Sequence, residues 1–178
     1  HPYFEIAALI AGPRSANQKY SDAVEGRWKM KTECPDWIAD MTVISSDDID
    51  TVKSLVDFVF CAVSLSKDET RALEERYAKA EIPVVSNNSA HRWTPDVPMV
   101  IPEINDSHLA VIEAQRKRLG TKRGFIAVKP NCSIQSYVPA LTPLMKFKPT
   151  LVVATTYQAI SGAGKTFNEW PEMIDNVI

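Results

Sequence analysis

The chain has 178 residues, 45% of them hydrophobic and 24% charged, a balance that fills a core and excludes disorder. Twenty Lys and Arg against 22 Asp and Glu leave a formal charge of −2, too even for a protein that holds nucleic acid or a membrane surface by charge alone. No run approaches the roughly 20 apolar residues of a spanning helix, and no signal peptide opens the chain. Three cysteines, Cys34, Cys61 and Cys132, are odd in number and too widely spaced for a C-x-x-C redox or zinc pattern, which predicts a reducing, cytoplasmic setting and no metal site. The opening at His1-Pro2 and a helix-like close over Met173–Ile178 predict a piece of a longer protein.

In chain order, the apolar run Phe4 to Ile10, closed by Gly12-Pro13, predicts a buried strand and a turn. Residues 13–40 are polar and irregular, with Trp28 and Trp37 expected to pack onto something else. Met41 to Ile44 predicts a short strand, and the nearly continuous apolar run Val56 to Val63 a stronger one, covered on both faces. Ser66-Lys67-Asp68-Glu69 has capping-box spacing and opens a helix that carries Leu73 and Tyr77 and ends near Ala80. Ile82 to Ser86 then resumes a strand, completing a βαβ unit of a parallel sheet. A helix from about Asp106 to Leu119 stops at Gly120. Its charged stretch Glu113 to Arg123 reads as a solvated face rather than a polyanion site. Gly124 to Lys129 predicts another strand, and a helix begins just after Cys132. Leu151 to Tyr157 predicts a long β run, with a domain boundary close to 131–149.

Two segments carry chemistry. In Pro130-Asn131-Cys132-Ser133, a cysteine at a helix N-terminus faces unpaired N–H groups and the positive end of the helix dipole. Both favour thiolate, and the same groups can hold an oxyanion. A lone cysteine there more often reads as an inert buried residue; Cys61, in an apolar strand, and Cys34, in a polar loop, read as inert. In Tyr157-Gln158-Ala159-Ile160-Ser161-Gly162-Ala163-Gly164, an amide at a strand end precedes small residues that allow close approach to the backbone. On its own this segment also fits an ordinary turn.

Together, the Pro130–Ser133 and Thr155–Gly164 segments resemble aspartate-semialdehyde dehydrogenases of the archaeal and fungal type. Gly12-Pro13-Arg14-Ser15-Ala16, Ser86-Asn87-Asn88-Ser89-Ala90-His91-Arg92, and Val97-Pro98 with Pro102-Glu103-Ile104-Asn105 fall in the same order as that family's motifs. The resemblance implies an α/β fold: a Rossmann-type parallel-sheet domain over 1–131, followed over 132–178 by the start of an α+β catalytic and dimerisation domain. It implies NADP-dependent reduction of aspartyl phosphate to aspartate semialdehyde and phosphate through a cysteine thioester, serving lysine, threonine and methionine biosynthesis. Cys132 is then the nucleophile, Gln158 orients the acyl group, and Asn131 helps fix the nucleophile and the substrate. Arg92 grips the phosphate. Arg14 and Ser15 hold the 2′-phosphate of NADP, while Ser86, Asn87, Ser161 and Gly162 line the nicotinamide site. Small-molecule substrates and a homodimer or homotetramer are further implications.

Taken singly, these residues have plainer readings. Arg14 fits a solvated loop, Ser15 a turn cap, Arg92 a stack on Trp93, Asn87 and Asn88 a turn, and Gln158 a backbone bond. His91 and His108 match no catalytic role and read as structural or exposed. Relative to the family, this sequence lacks the first strand with its G-x-x-G-x-x-G turn, and also the downstream substrate arginine and acid–base histidine. The chain alone is therefore expected to be inactive and unstable. Ser133-Ile134 also departs from the usual Ser-Thr or Thr-Thr. Malonyl-CoA reductase, a relative with the same cysteine chemistry, and a non-catalytic scaffold are the alternative readings.

Overall fold

The structure is a computed structural model describing residues 3–173, so most of the helix expected over 173–178 lies outside the described residues. The chain divides into two compact units, His1–Asn131 and Cys132–Ile178.

The first unit is built from short parallel strands joined through helices. Strands β1 (Leu9–Ala11) and β2 (Val43–Ser45) pair in parallel with Leu9 opposite Val43. Strands β3 (Val59–Cys61), β4 (Val84–Ser86) and β5 (Ile126–Val128) form a second parallel sheet in that spatial order. Two four-residue helices, α1 (Tyr20–Ala23) and α2 (Asp36–Ala39), lie between β1 and β2, and α3 (Ile49–Leu55) precedes β3. Helix α4 (Lys67–Lys79) connects β3 to β4, and α5 (Pro102–Asn105) and α6 (Ile112–Leu119) lie between β4 and β5. This is the α/β architecture expected from the sequence.

Each strand is shorter than its apolar run. A ladder can extend only where both backbones have a partner, and β2 offers β1 three residues. Phe4 and Ile6, 45% and 41% exposed, therefore stand outside the ladder. Phe4 instead joins Phe58 and Phe60 in an edge-to-face cluster with ring centroids 5.2–5.9 Å apart.

Helix α4 starts as its sequence predicts. Ser66 Oγ accepts from the Glu69 amide at 3.3 Å, and the Glu69 carboxylate accepts from the Ser66 amide at 3.0 Å. Its inner face buries Thr70, Glu74, Tyr77 and Ala78, a helical repeat along one stripe. After the helix, Glu81 adopts φ 71° and turns its carboxylate onto the amides of Lys122, Arg123 and Gly124, at 2.9, 2.6 and 2.8 Å. Those three donors hold the carboxyl down to about 2. Gly124 is needed here, because a Cβ would come within 1.8 Å of the Ala78 carbonyl oxygen. The apolar centre comprises Val52, Ala78, Ile82, Val84, Val97, Ile126 and Val128. Full burial of each such aliphatic side chain larger than alanine contributes roughly 1.5–3 kcal/mol.

The segment around Met99 lies parallel to β5. Val128 donates to the Pro98 carbonyl at 2.9 Å and Val100 donates to the Val128 carbonyl at 3.0 Å. Gln115, fully buried, donates to the Asp96 and Ile126 carbonyls at 2.9 Å and accepts from the Ile126 amide at 2.6 Å. Its amide thus satisfies buried backbone at the start of β5.

Several expectations need correction. Residues 106–111 form a 3-10 helix, and α-helix begins only at Ile112; Gly120, at φ 73°, ends it as expected. The charged stretch is not simply solvated. Arg118 forks onto Asp96 and also meets Glu75 at 3.0 Å, Arg116 meets Glu113, and Arg123 meets Asp57. Trp37 is 58% exposed rather than packed, while the half-buried Trp28 donates its indole N–H to the Thr32 carbonyl at 2.9 Å.

In the second unit, α7 (Cys132–Leu141) opens on Cys132 itself and is followed by a 3-10 turn over Thr142–Phe147. The β run expected over 151–157 forms no strand. Leu151, Val153 and Tyr157 are 78%, 85% and 97% exposed, because no described backbone lies alongside to complete a ladder. A 3-10 turn over Ile160–Ala163 follows.

Candidate functional site

In the first unit, a cleft of about 890 Å³ opens between the β1–β2 pair and the three-stranded sheet. Ile10 and Ala11 of β1 line one side, and Val59, Phe60 and Cys61 of β3 the other. The loops that leave the strand ends, Gly12-Pro13-Arg14, Ser46-Asp47 and Ala62 to Leu65, form its mouth. Loops at the carboxyl ends of parallel strands are where open α/β sheets receive ligands.

The expected site residues of this unit are not all gathered there. Arg14 is exposed and lines the cleft, its carbonyl accepting from Gln18 Nε2 at 3.0 Å. Ser15 donates its amide to the Gly12 carbonyl at 3.0 Å, closing the turn, and lines a separate 350 Å³ hollow instead. Asn87 is exposed, and its amide donates to the Cys61 carbonyl at 2.8 Å.

Ser86 departs from the reading that gave its side chain to a ligand. It is 1% exposed, and its hydroxyl donates to Glu74 Oε1 at 2.5 Å. Arg92 does not stack on Trp93, which is 90% exposed. Its Nε donates to the Lys129 carbonyl at 3.2 Å and its Nη2 to the Pro130 carbonyl at 3.3 Å. The guanidinium therefore braces the chain just ahead of the exposed Asn131.

Cys61 is buried, and burial together with the neighbouring Glu74 carboxylate pushes its thiol up to about 12. It is inert at ordinary pH. Burial lowers the pKa of His91, which is 1% exposed, with Nδ1 3.0 Å from Thr94 Oγ1. His108 Nδ1 lies 3.2–3.3 Å from the Met99 backbone. Both histidines serve the fold.

In the second unit, Cys132 is exposed at the first position of α7. Gln158 Nε2 donates to its Sγ at 3.5 Å. Gly162 makes this pairing possible: a Cβ there would meet Gln158 Nε2 at 2.6 Å and Cγ at 2.8 Å. The small residue receives a side chain of its own chain, where the sequence reading expected a ligand. Ser161 is exposed, and its carbonyl accepts from the Gly164 amide at 3.0 Å.

Sequence reasoning missed Glu74 and Gln115, and saw in Asn88 only the turn former that it also is. For Glu74 a signal existed, since a carboxylate at helical spacing between Thr70 and Tyr77-Ala78 falls on the stripe that must face the core. Among the described residues no group of three or more His, Cys, Asp or Glu converges as a metal cluster. No helix among them is long and apolar enough to cross a membrane.

Parallel strands, interposed helices and a cleft at the strand ends define an open α/β class that receives ligands at the carboxyl ends of its strands, and comparison with known proteins narrows it. The sequence model of the semialdehyde dehydrogenase NAD binding domain matches residues 1–112, and the chain belongs to that family. An aspartate-semialdehyde dehydrogenase of Archaeoglobus fulgidus is 38% identical over 180 residues, covering 100% of this chain and 50% of that protein. The crystal structure of aspartate semialdehyde dehydrogenase with NADP from Candida albicans is 34% identical at a TM-score of 0.76, covering 100% of this chain and 49% of that one. A malonyl CoA reductase (NADP) of Metallosphaera sedula is 35% identical over 179 residues, covering 100% of this chain and 48% of that protein. The chain spans about half the length of the curated relatives it matches.

Proposed function

We propose that this chain supplies the NADP-binding unit and the nucleophile of an aspartate-semialdehyde dehydrogenase. The protein that carries it reduces aspartyl phosphate to aspartate semialdehyde and phosphate, in the biosynthesis of lysine, threonine and methionine. The reading rests foremost on one observation: an exposed Cys132 opens α7 with the Gln158 amide 3.5 Å from its sulfur, in a chain of this family.

Cys132 Sγ attacks the acyl carbon of the substrate. The carbon–oxygen bond to phosphate breaks, phosphate leaves, and a thioester on Cys132 remains. Amides of the first turn of α7 are placed to receive the negative charge that gathers on the carbonyl oxygen. Gln158, held across Gly162, orients sulfur and acyl group. When bound, the reduced dinucleotide supplies the hydride that reduces the thioester and returns Cys132 as thiolate.

The cleft of the first unit fits such a cofactor. Its volume is in the range of small-molecule sites, and Arg14 at its mouth offers a guanidinium to a phosphate. Asn87 and Ser161 belong to the nicotinamide end in this reading, Gly162 acts through the seat it gives Gln158, and Ser15 acts through the turn that carries Arg14. Ser86 contributes through its backbone, its hydroxyl being held by Glu74. Asn131 fixes the nucleophile and the substrate, with Arg92 toward the phosphate. The protein works in the cytoplasm as a homodimer or homotetramer assembled through the second domain.

The test uses the full-length protein that carries this chain. Aspartate semialdehyde, phosphate and NADP should give turnover, and Cys132→Ser should lower kcat by on the order of 10³-fold or more with thermal unfolding unchanged. The 35% identical malonyl CoA reductase makes malonyl-CoA with NADPH the control substrate. Activity with malonyl-CoA alone would move the assignment to that reaction.

A further inference from the structure

Glu74 sits on the inner face of α4, 1% exposed. One carboxylate oxygen, Oε1, accepts from Ser86 Oγ at 2.5 Å and from Asn88 Nδ2 at 3.1 Å. Ser86 Oγ in turn accepts from the Asn88 amide at 3.0 Å. Asn88 Nδ2 also reaches Cys61 Sγ at 3.3 Å, and the Asn87 amide donates to the Cys61 carbonyl at 2.8 Å. On the other side, the Lys129 amide donates to the Ser86 carbonyl at 3.0 Å. The turn 86–88 is thus tied to the ends of β3 and β5 and, from below, to α4.

Oε2 of Glu74 has no hydrogen-bond partner and lies 3.9 Å from His91 Nε2, which also has none. Burying a carboxylate with one oxygen left unbonded is costly, and an apolar side chain at this position would serve stability as well or better. A largely buried polar network adds directional bonds to packing, and those bonds favour one conformation of the segment they hold. The segment selected here is the turn after β4, at the carboxyl end of the sheet, where ligands are received.

We infer that Glu74 is a positioning residue for the dinucleotide, acting through the Ser86–Asn88 turn. This rests on the proposed function, which assigns that turn to the nicotinamide end. Glu74 touches no ligand. It holds the Ser86 hydroxyl and the Asn88 amide inward, so that the exposed Asn87 and the turn backbone keep a fixed outward geometry. The reach of the side chain matters more than its charge, because both bonds to the turn are accepted by the same oxygen.

The experiment measures NADP binding by calorimetry to the full-length protein and its variants, well below each variant's unfolding temperature. Glu74→Ala should weaken NADP by about tenfold or more, the loss of one or two buried hydrogen bonds. Glu74→Gln, which keeps an acceptor at full reach, should stay within about threefold. Alkylation of Cys132 by iodoacetamide should proceed at the wild-type rate in both. A purely structural role would lower thermal stability and leave affinity untouched, and that result for Glu74→Ala overturns the inference. Should Glu74→Ala fail to fold, Glu74→Asp decides: its shortened carboxylate should weaken NADP as alanine would, and wild-type affinity overturns the inference. A wild-type protein that binds no NADP is a different failure, and removes the proposed function itself.

Discussion

The two units solve different problems with similarly apolar sequence. In the first, Val52 and Ile126 are wholly removed from solvent and Val84 nearly so, and even the polar residues Glu74 and Gln115 are buried with partners. In the second, Leu144, Met145, Phe147, Leu151 and Val153 are between 47% and 85% exposed, and among the described residues no side chain reaches the buried class. The difference is one of partners. Short parallel strands flanked by helices give the central apolar side chains of the first unit neighbours on both faces, whereas one helix and an extended stretch cannot enclose anything. The cleft therefore rests on a core of its own, while the cysteine is held by its helix and the Gln158 amide.

Stability measurements should show this contrast most strongly. Ile126→Ala, in the core of the first unit, should cost about 2–5 kcal/mol of unfolding free energy. Leu151→Ala should stay within about 0.5 kcal/mol in the same urea titrations. Equal costs would mean that the second unit has a core in solution.

A smaller effect is expected at the cysteine itself. Gly162→Ala places a methyl group 2.6 Å from Gln158 Nε2, and the amide must swing away from Cys132. In the full-length protein kcat should fall by roughly 10–100-fold, the cost of an ångström-scale misplacement, with NADP affinity unchanged. A loss of affinity with kcat intact would instead place Gly162 against the cofactor.

The smallest effect belongs to Glu81, on the exterior of the first unit. Its carboxyl falls from 4.5 to about 2 on folding, through three backbone donors. Because the folded value is depressed, the ionised carboxylate adds stability above pH 4.5, and this contribution fades as pH falls through 2. The urea midpoint of wild type should therefore exceed that of Glu81→Gln near pH 6, and the two should converge toward pH 2. A gap that persists at pH 2 would assign the effect to shape rather than charge.

What could be read from the sequence was whatever local chemistry determines. The capping box Ser66–Glu69, the stop at Gly120, the helix opening at Cys132 and the α/β class depend on neighbours in the chain, and all were legible. Pairing lengths were not. The apolar runs at 4–10 and 56–63 look like long strands, but a strand is only as long as the partner beside it, and for 151–157 there is none among the described residues. Side-chain partners across distance were equally hidden. That Ser86 turns inward to Glu74, that Arg92 braces the Lys129 and Pro130 carbonyls, and that Gly162 makes room for Gln158 all depend on atoms 12, 37–38 and 4 positions away. Resemblance to a known family, not residue type alone, nominated Cys132, Gln158 and Arg14. Only packing decided which polar groups face inward and hold the site and which remain free to meet a ligand, because a buried donor or acceptor must find its partner wherever the fold has placed one.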